Sequence, residues 1–221
     1  ALDFDGDYKW TFPTGGPIWA RPAKNVDCTC LFVASMDHHV YAVDANTGDQ
    51  VWKSDDLGGA VVGTPAFDHG DTVIVGTFGS EIIALDAKTG AEIWSFPTQA
   101  WVWSGGVLYQ DIYYVGDLNG YIYAIDAATG DQIWRVQPGG PIVGSPLLIN
   151  EQLVFTSETD KVFFISLDGE VMDEQDVSGT LYASPYATGD MILIAPISPE
   201  ALLVALTSAG AQQWTYMPEK K

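Results

Sequence analysis

With 221 residues, 47% of them apolar and 17% charged, the chain has the material for one substantial core and lacks the composition of a disordered polymer. Nine Lys and Arg against 29 Asp and Glu give a net charge of -20, which repels phosphate backbones and anionic bilayers beyond about a Debye length and argues against nucleic acid as a partner. No stretch approaches 18 consecutive apolar residues, so direct membrane insertion by a helix is not expected.

The chain opens on Ala1 and in mid-repeat, as LDFDGDYKW over residues 2–10, which leads to the expectation of a removed leader or a missing upstream part. Next comes GGPIWARPA at 15–23, with counterparts GGAVVGTPA at 58–66, TQAWVWSGG at 98–106, GGPIVGSPL at 139–147 and SGTLYASPY at 178–186. One column of these segments is always apolar (Ile18, Val61, Val102, Ile142, Leu181) and another always small (Ala20, Gly63, Ser104, Gly144, Ala183). Residues two apart share a face in extended chain, so the segments are predicted to be the innermost strand of each unit.

A second strand is predicted in each unit at Leu31–Ser35, Val73–Thr77, Ile112–Gly116, Leu153–Ser157 and Met191–Ala195, all near-continuous apolar runs. Short turns follow, and Asn119-Gly120 reads as a type I′ hairpin. The third and fourth strands are a hairpin written almost identically three times: VYAVDANTGDQVW at 40–52, IIALDAKTGAEIW at 82–94 and YIYAIDAATGDQIW at 121–134. Alternation before the Asp, a Thr-Gly turn and a closing Trp give two strands joined by a tight turn.

Degenerate hairpins follow at Ser166 (VFFISLDGEVM) and Thr207 (LLVALTSAGAQQW), so the Asp44, Asp86, Asp126, Ser166 and Thr207 column advances in steps of 42, 40, 40 and 41 residues, and Asp3 lies 41 before Asp44. A period near 40 with four short strands per unit predicts an all-β fold: a β-propeller of four-stranded antiparallel blades. The domain is 1–221, with repeats at 11–52, 53–94, 95–134, 135–173 and 174–214 and a partial repeat at 1–10. Five full repeats plus an extra N-terminal outer strand fit either a small closed ring with a spare edge strand, the favoured expectation, or an arc of a larger ring.

The A-x-D-x-x-T-G-x-x-x-W spacing is complete at Ala42-Asp44-Thr47-Gly48-Trp52, Ala84-Asp86-Thr89-Gly90-Trp94 and Ala124-Asp126-Thr129-Gly130-Trp134. It resembles the tryptophan-docking repeat of quinoprotein (PQQ-type) dehydrogenases and of their non-enzymatic relatives, the BamB-type outer-membrane assembly lipoproteins. The resemblance implies that Trp10, Trp52, Trp94, Trp134 and Trp214 dock on neighbouring repeats. The fourth unit, with Met172-Asp173 near the Trp position, departs from the pattern. Enzymatic members bind pyrroloquinoline quinone and calcium, commonly beside adjacent cysteines. Here Thr29 separates Cys28 from Cys30, the chain is far shorter, and no position matches the catalytic motif, so no catalytic residue, metal or cofactor is assigned.

The remaining chemistry-bearing residues have structural readings. Asp44, Asp86 and Asp126 recur with their turns and are read as turn formers. Cys28 and Cys30, about 6.6 Å apart if extended, are expected to be buried free thiols, with a strained disulfide, or redox or metal chemistry, as the alternatives. A zinc site from Cys28, Cys30, His38 and His39 is rejected: a turn at Asp37-His38 sets Met36 against His39 and Cys30 against Ala45, about 20 Å away.

Positions that break the repeat carry the functional reading. Trp19, Trp101, Trp103 and Tyr182 replace small or aliphatic residues, Arg21 replaces Thr or Ser, and the His38-His39 turn emerges on the same side. Together they predict an aromatic and polar recognition patch at the channel mouth. The expected function is a non-enzymatic binding or scaffolding module with protein partners, periplasmic, cell-surface or extracellular. The competing classes are a quinone- and calcium-dependent alcohol or sugar dehydrogenase and the sensor domain of a larger receptor.

Overall fold

The computed structural model describes residues 1–25, 29–67 and 70–218. Among these there is no helix, and five four-stranded sheets follow one another along the chain. The first comprises β1 (Ala23–Asn25), β2 (Cys30–Ala34), β3 (Val40–Asp44) and β4 (Gln50–Lys53); the second β5 (Ala66–Phe67), β6 (Thr72–Gly76), β7 (Glu81–Asp86) and β8 (Glu92–Pro97). The third is β9 (Val107–Tyr109), β10 (Ile112–Gly116), β11 (Ile122–Asp126) and β12 (Gln132–Val136); the fourth β13 (Leu147–Ile149), β14 (Gln152–Ser157), β15 (Lys161–Ser166) and β16 (Val171–Asp176). The fifth is β17 (Tyr186–Thr188), β18 (Met191–Ile194), β19 (Leu203–Thr207) and β20 (Gln212–Tyr216). Each sheet pairs its strands antiparallel in chain order, the arrangement of a propeller blade.

Register fixes which side chains cover the next blade. In the first sheet Ala23, Phe32, Ala42 and Trp52 stand directly opposite one another across the four strands. The row repeats as Ala66, Ile74, Ala84, Trp94, as Val107, Tyr114, Ala124, Trp134, and as Leu147, Val154, Phe164, Asp173. These rows pack against the following blade in four apolar clusters. The predicted second strands thus stand within a residue or two of their expected bounds, and those of the first four blades are covered on both faces, as their unbroken apolar runs require.

Several expectations are corrected. The 15–23 type segments are not strands. The innermost strands β1, β5, β9, β13 and β17 begin only at or just after their last residue, and the segments themselves are bends between blades. Their apolar column plugs the joint, since Val61, Val102, Ile142 and Leu181 are fully buried, and their small column lets loop backbones touch: a Cβ on Gly63 would lie 2.4 Å from the carbonyl carbon of Ser104. The turn at 118–120 is not type I′. Asn119 keeps negative φ, Gly120 alone is left-handed (φ 79°), and the Asp117 N–H bonds the Tyr121 carbonyl, giving a three-residue loop. The first blade's turn is likewise one residue longer than expected, so Cys30 stands opposite Asp44 rather than Ala45.

Nor does the chain form a closed five-bladed ring. Among the described residues no apolar cluster joins the fifth blade to the first, and Ile18, counterpart of the four buried plugs, is 44% exposed. The blades form an arc, and residues 1–12 lie against the first blade through Trp10 and Phe12, which pack on Leu31, Val33, Tyr41 and Val43. Cys30 is buried and disulfide-bonded rather than a free thiol. The reason for the miss is local: Thr29 is left-handed (φ 55°), so the chain there is not extended. Cys28 lies outside the described residues.

Candidate functional site

The joints between blades come first, because they position everything else. The indole N–H of Trp10 donates to the Ala45 carbonyl (3.1 Å), that of Trp52 to Ala87 (2.9 Å), that of Trp94 to Ala127 (3.0 Å) and that of Trp134 to Leu167 (2.8 Å). Each ring lies flat on the turn glycine of the next blade: a Cβ on Gly48, Gly90, Gly130 or Gly169 would come within 2.5–2.7 Å of the indole. All four glycines have φ between 75° and 88°, so both conformation and contact exclude a side chain. The preceding Asp shapes the turn: Asp44, Asp86 and Asp126 each accept the backbone N–H groups two and three residues on, as Asx turns do. In the fourth unit Asp173 occupies the Trp position and lies against Gly210, while the Gln152 side-chain amide donates to the Ser208 carbonyl that an indole would otherwise reach.

With the blades so held, the structure gathers part of the predicted patch. Trp19 and Trp103 approach with ring centroids 6.1 Å apart, Trp103 meets Phe78 at 5.0 Å, and Phe78 stacks on Trp101 at 5.0 Å with planes 11° apart. Four rings thus run along one face across the first three blades. Trp19 is 61% and Trp101 50% exposed, an unusual amount of indole surface for positions no core requires. Backbone hydrogen bonds fix the run: the Phe78 N–H donates to the Ala60 carbonyl, Val102 to Thr77 and Leu118 to Trp101.

Sequence reasoning missed Phe78. It occupies the turn column of Met36 and Leu118, where an apolar residue looked unremarkable, and only the stacking shows its place.

Arg21 joins this run. With Trp19, Trp103 and Ser104 it lines a cleft of about 250 Å³ that opens into a larger concavity of about 870 Å³, whose wall carries Arg21 and Lys24 and, among the described residues, no carboxylate. In a chain of charge -20 the described residues of this concavity thus differ in sign from the net charge. The Ser104 hydroxyl is buried at this cleft and has no hydrogen-bond partner among the described residues.

The two histidines are not brought to the rings. His38 Nδ1 lies 3.3 Å from an Asp56 carboxylate oxygen, and His39 Nδ1 lies 3.0 Å and 3.1 Å from the Ser54 and Asp55 carbonyls, so both belong to the loop after β4. Beside them Asp37 accepts the Tyr41 hydroxyl (2.6 Å) and the Gly15 N–H (2.6 Å). Burial pushes the Tyr41 phenol up to about 12, and the Asp37 carboxylate adds to it. For Asp37 itself burial acts upward, but the Tyr41 and Ser35 hydroxyls and the Gly15 and His39 N–H groups outweigh it and hold the carboxyl below its ordinary value. Tyr182 is exposed at the fifth blade without a ring neighbour among the described residues. Among the described residues no three His, Cys, Asp and Glu side chains converge to hold a metal ion.

Successive four-stranded blades, the first four joined in sequence by indoles on glycine turns, define a β-propeller repeat protein. The family model for outer membrane protein assembly factor BamB matches residues 36–105, 79–172 and 119–220, and the chain belongs to that family. BamB from Moraxella catarrhalis superposes with a TM-score of 0.81 at 20% identity, over 96% of this chain and 68% of that one. The computationally designed Ika8 protein gives the same TM-score at 14% identity, over 96% of this chain and 65% of its own. Both show the fold.

Among curated proteins, the serine/threonine-protein kinase AfsK of Streptomyces coelicolor is 30% identical over 95 residues, 43% of this chain. Subunit 1 of the methanol dehydrogenase of Methylobacterium organophilum is 37% identical over 73 residues, 29% of this chain. The matches span 11% of the kinase and 12% of the dehydrogenase.

Proposed function

We propose that the chain is a non-enzymatic binding or scaffolding module of the BamB kind, working through protein–protein contacts in the cell envelope or outside the cell. The observation that carries this reading is the exposed run of Trp19, Trp103, Phe78 and Trp101 beside Arg21, because apolar rings flanked by a cation and hydroxyls are the composition of interface centres. An extended segment of a partner protein lying across the first three blades would bury these rings, and Arg21 would meet its carbonyl or carboxylate groups. Family membership supports the scaffold role.

Replacing Trp19 by a photo-crosslinking residue in the native host tests it. The expected result is one defined protein adduct, lost when Trp103→Ala and Arg21→Ala are added and absent when the crosslinker replaces exposed Ile133 on β12 instead. Equal capture at both positions would reject the location.

The dehydrogenase likeness motivates a second reading, a quinone-dependent alcohol or sugar dehydrogenase. Dye-linked oxidation after addition of pyrroloquinoline quinone and calcium would establish it, against an expectation of no turnover. The kinase likeness fits a sensor domain in a longer receptor, which the full coding sequence decides.

A further inference from the structure

The side chains of the aromatic run leave one kind of polar valence open. Trp10, Trp52, Trp94 and Trp134 each place the indole N–H on a backbone carbonyl. Trp19, Trp101 and Trp103 do not: among the described residues none of their N–H groups has an acceptor. Arg21, in the same cleft as Trp19 and Trp103, forms no ion pair among the described residues. Indole and guanidinium nitrogens donate and do not accept, and Phe78 does neither. A ligand seated on these five side chains therefore meets ring faces and donors, and no side-chain acceptor.

The platform is neutral and held in place. Residues 76–80 and 98–106, which carry Phe78, Trp101 and Trp103, include no charged side chain in a protein of net charge -20. The second and third blades are each packed on both sides by another blade of this chain, so these rings are open on an enclosed part of the arc. The planes turn by 11° from Trp101 to Phe78, by 34° to Trp103 and by 51° to Trp19, so the rings form steps rather than closing on one another.

We infer that the partner segment of the proposed function, on which this inference rests, is a proline-rich stretch in the polyproline II conformation. That helix has no internal hydrogen bonds, so its carbonyls are free acceptors, and proline brings no N–H donor. Pyrrolidine rings pack on aromatic faces, and two preformed partners lose little conformational entropy on meeting. A β-strand would instead turn backbone donors, and a saccharide its hydroxyl protons, toward side chains that cannot accept them. At about 3.1 Å per residue, about six residues reach from Trp101 to Trp19 and bring the next carbonyls to Arg21.

Titrating the isotope-labelled 221-residue chain with decaproline, followed at its indole N–H resonances, tests this. The expected result is saturable shifts at Trp19, Trp101 and Trp103, half complete below about 1 mM, with Trp10, Trp52, Trp94 and Trp134 unmoved. Trp101→Ala, at a half-exposed position, should melt as the parent does and bind roughly tenfold more weakly. Trp103→Phe keeps a ring and removes its donor, and should weaken binding about three- to tenfold. No shift up to about 10 mM decaproline overturns the inference. So does an equal response to a Gly-Ser peptide of the same length, a response to cellohexaose without one to decaproline, or a Trp103→Phe variant that binds as tightly as the parent. A crosslinked adduct at Trp19 with no response to decaproline would keep the protein partner and remove its proline-rich character, whereas equal capture at Trp19 and Ile133 removes the location itself.

Discussion

Trp52→Ala measures what one joint is worth. The indole is 7% exposed, stacks on Phe32 with centroids 5.6 Å apart, rests on Gly90 and donates to the Ala87 carbonyl at 2.9 Å. A buried Trp removes roughly 200 Å² from water, which at about 25 cal/mol per Å² comes to about 5 kcal/mol. A compact unfolded chain lowers that to about 3–4 kcal/mol, and the lost hydrogen bond restores about 1 kcal/mol. The expected destabilisation is therefore about 4 kcal/mol, within the range for buried aromatic truncation.

Chemical denaturation, followed by circular dichroism so that the missing fluorophore does not matter, gives the number. Trp214→Ala supplies the control: an indole that is 40% exposed and has no acceptor among the described residues should cost less than about 1 kcal/mol. Equal losses for Trp52→Ala and Trp214→Ala would refute the claim that the glycine turn and carbonyl of the next blade, rather than the tryptophan's own sheet, supply the stabilisation.

Other expectations follow from the same geometry. Asp117 is fully buried and accepts the Tyr123 hydroxyl (2.7 Å) and the N–H groups of Gln99, Asn119 and Tyr121. Asp117→Asn turns an amide donor toward donors and should cost about 2 kcal/mol by denaturant midpoint. Because the Tyr41 pKa is raised to about 12, its contribution is intact below the unfolded value near 10 and lost as pH rises through about 12. Tyr41→Phe should therefore flatten the alkaline limb of a stability–pH curve. Asp37, Asp44, Asp86 and Asp126 are all lowered, so their contribution is intact above about pH 4 and lost as pH falls through their depressed folded values. An acid limb that begins above pH 6 would contradict that assignment. Asp173→Trp, which restores the missing indole over Gly210 in competition with Gln152, should raise the denaturation midpoint by the equivalent of about 1 kcal/mol.

The blades were legible in the sequence because the residues that make the joint are the ones the repeat preserves: the Asp that shapes the turn, the glycine under the indole and the indole itself. What misled was the 15–23 type segment. Its apolar and small columns look like one face of a strand, yet the alternation comes from a plug such as Val61 and from the bare backbone of Gly63 against Ser104, inside bends whose prolines interrupt pairing. Trp19, Trp101, Trp103 and Tyr182 could be singled out because they break the repeat, and the three tryptophans do line up. Phe78 could not, since an apolar residue at a turn column is ordinary until its neighbours are known. His38 and His39 share a side of the molecule with the rings, but the carbonyls and carboxylate after β4 claim them, a pairing between distant residues that no local pattern encodes.

The fourth seam is fastened differently from the others, by an amide of Gln152 on the Ser208 carbonyl where its sisters use an aromatic bicycle. A chain of similar fasteners with one lighter substitute has a built-in tear line. Under tension or mild heat the fifth sheet should peel away first as a unit, so amide protons of β18 and β19 would exchange with deuterated solvent sooner than those of β6 and β7, deep in the arc.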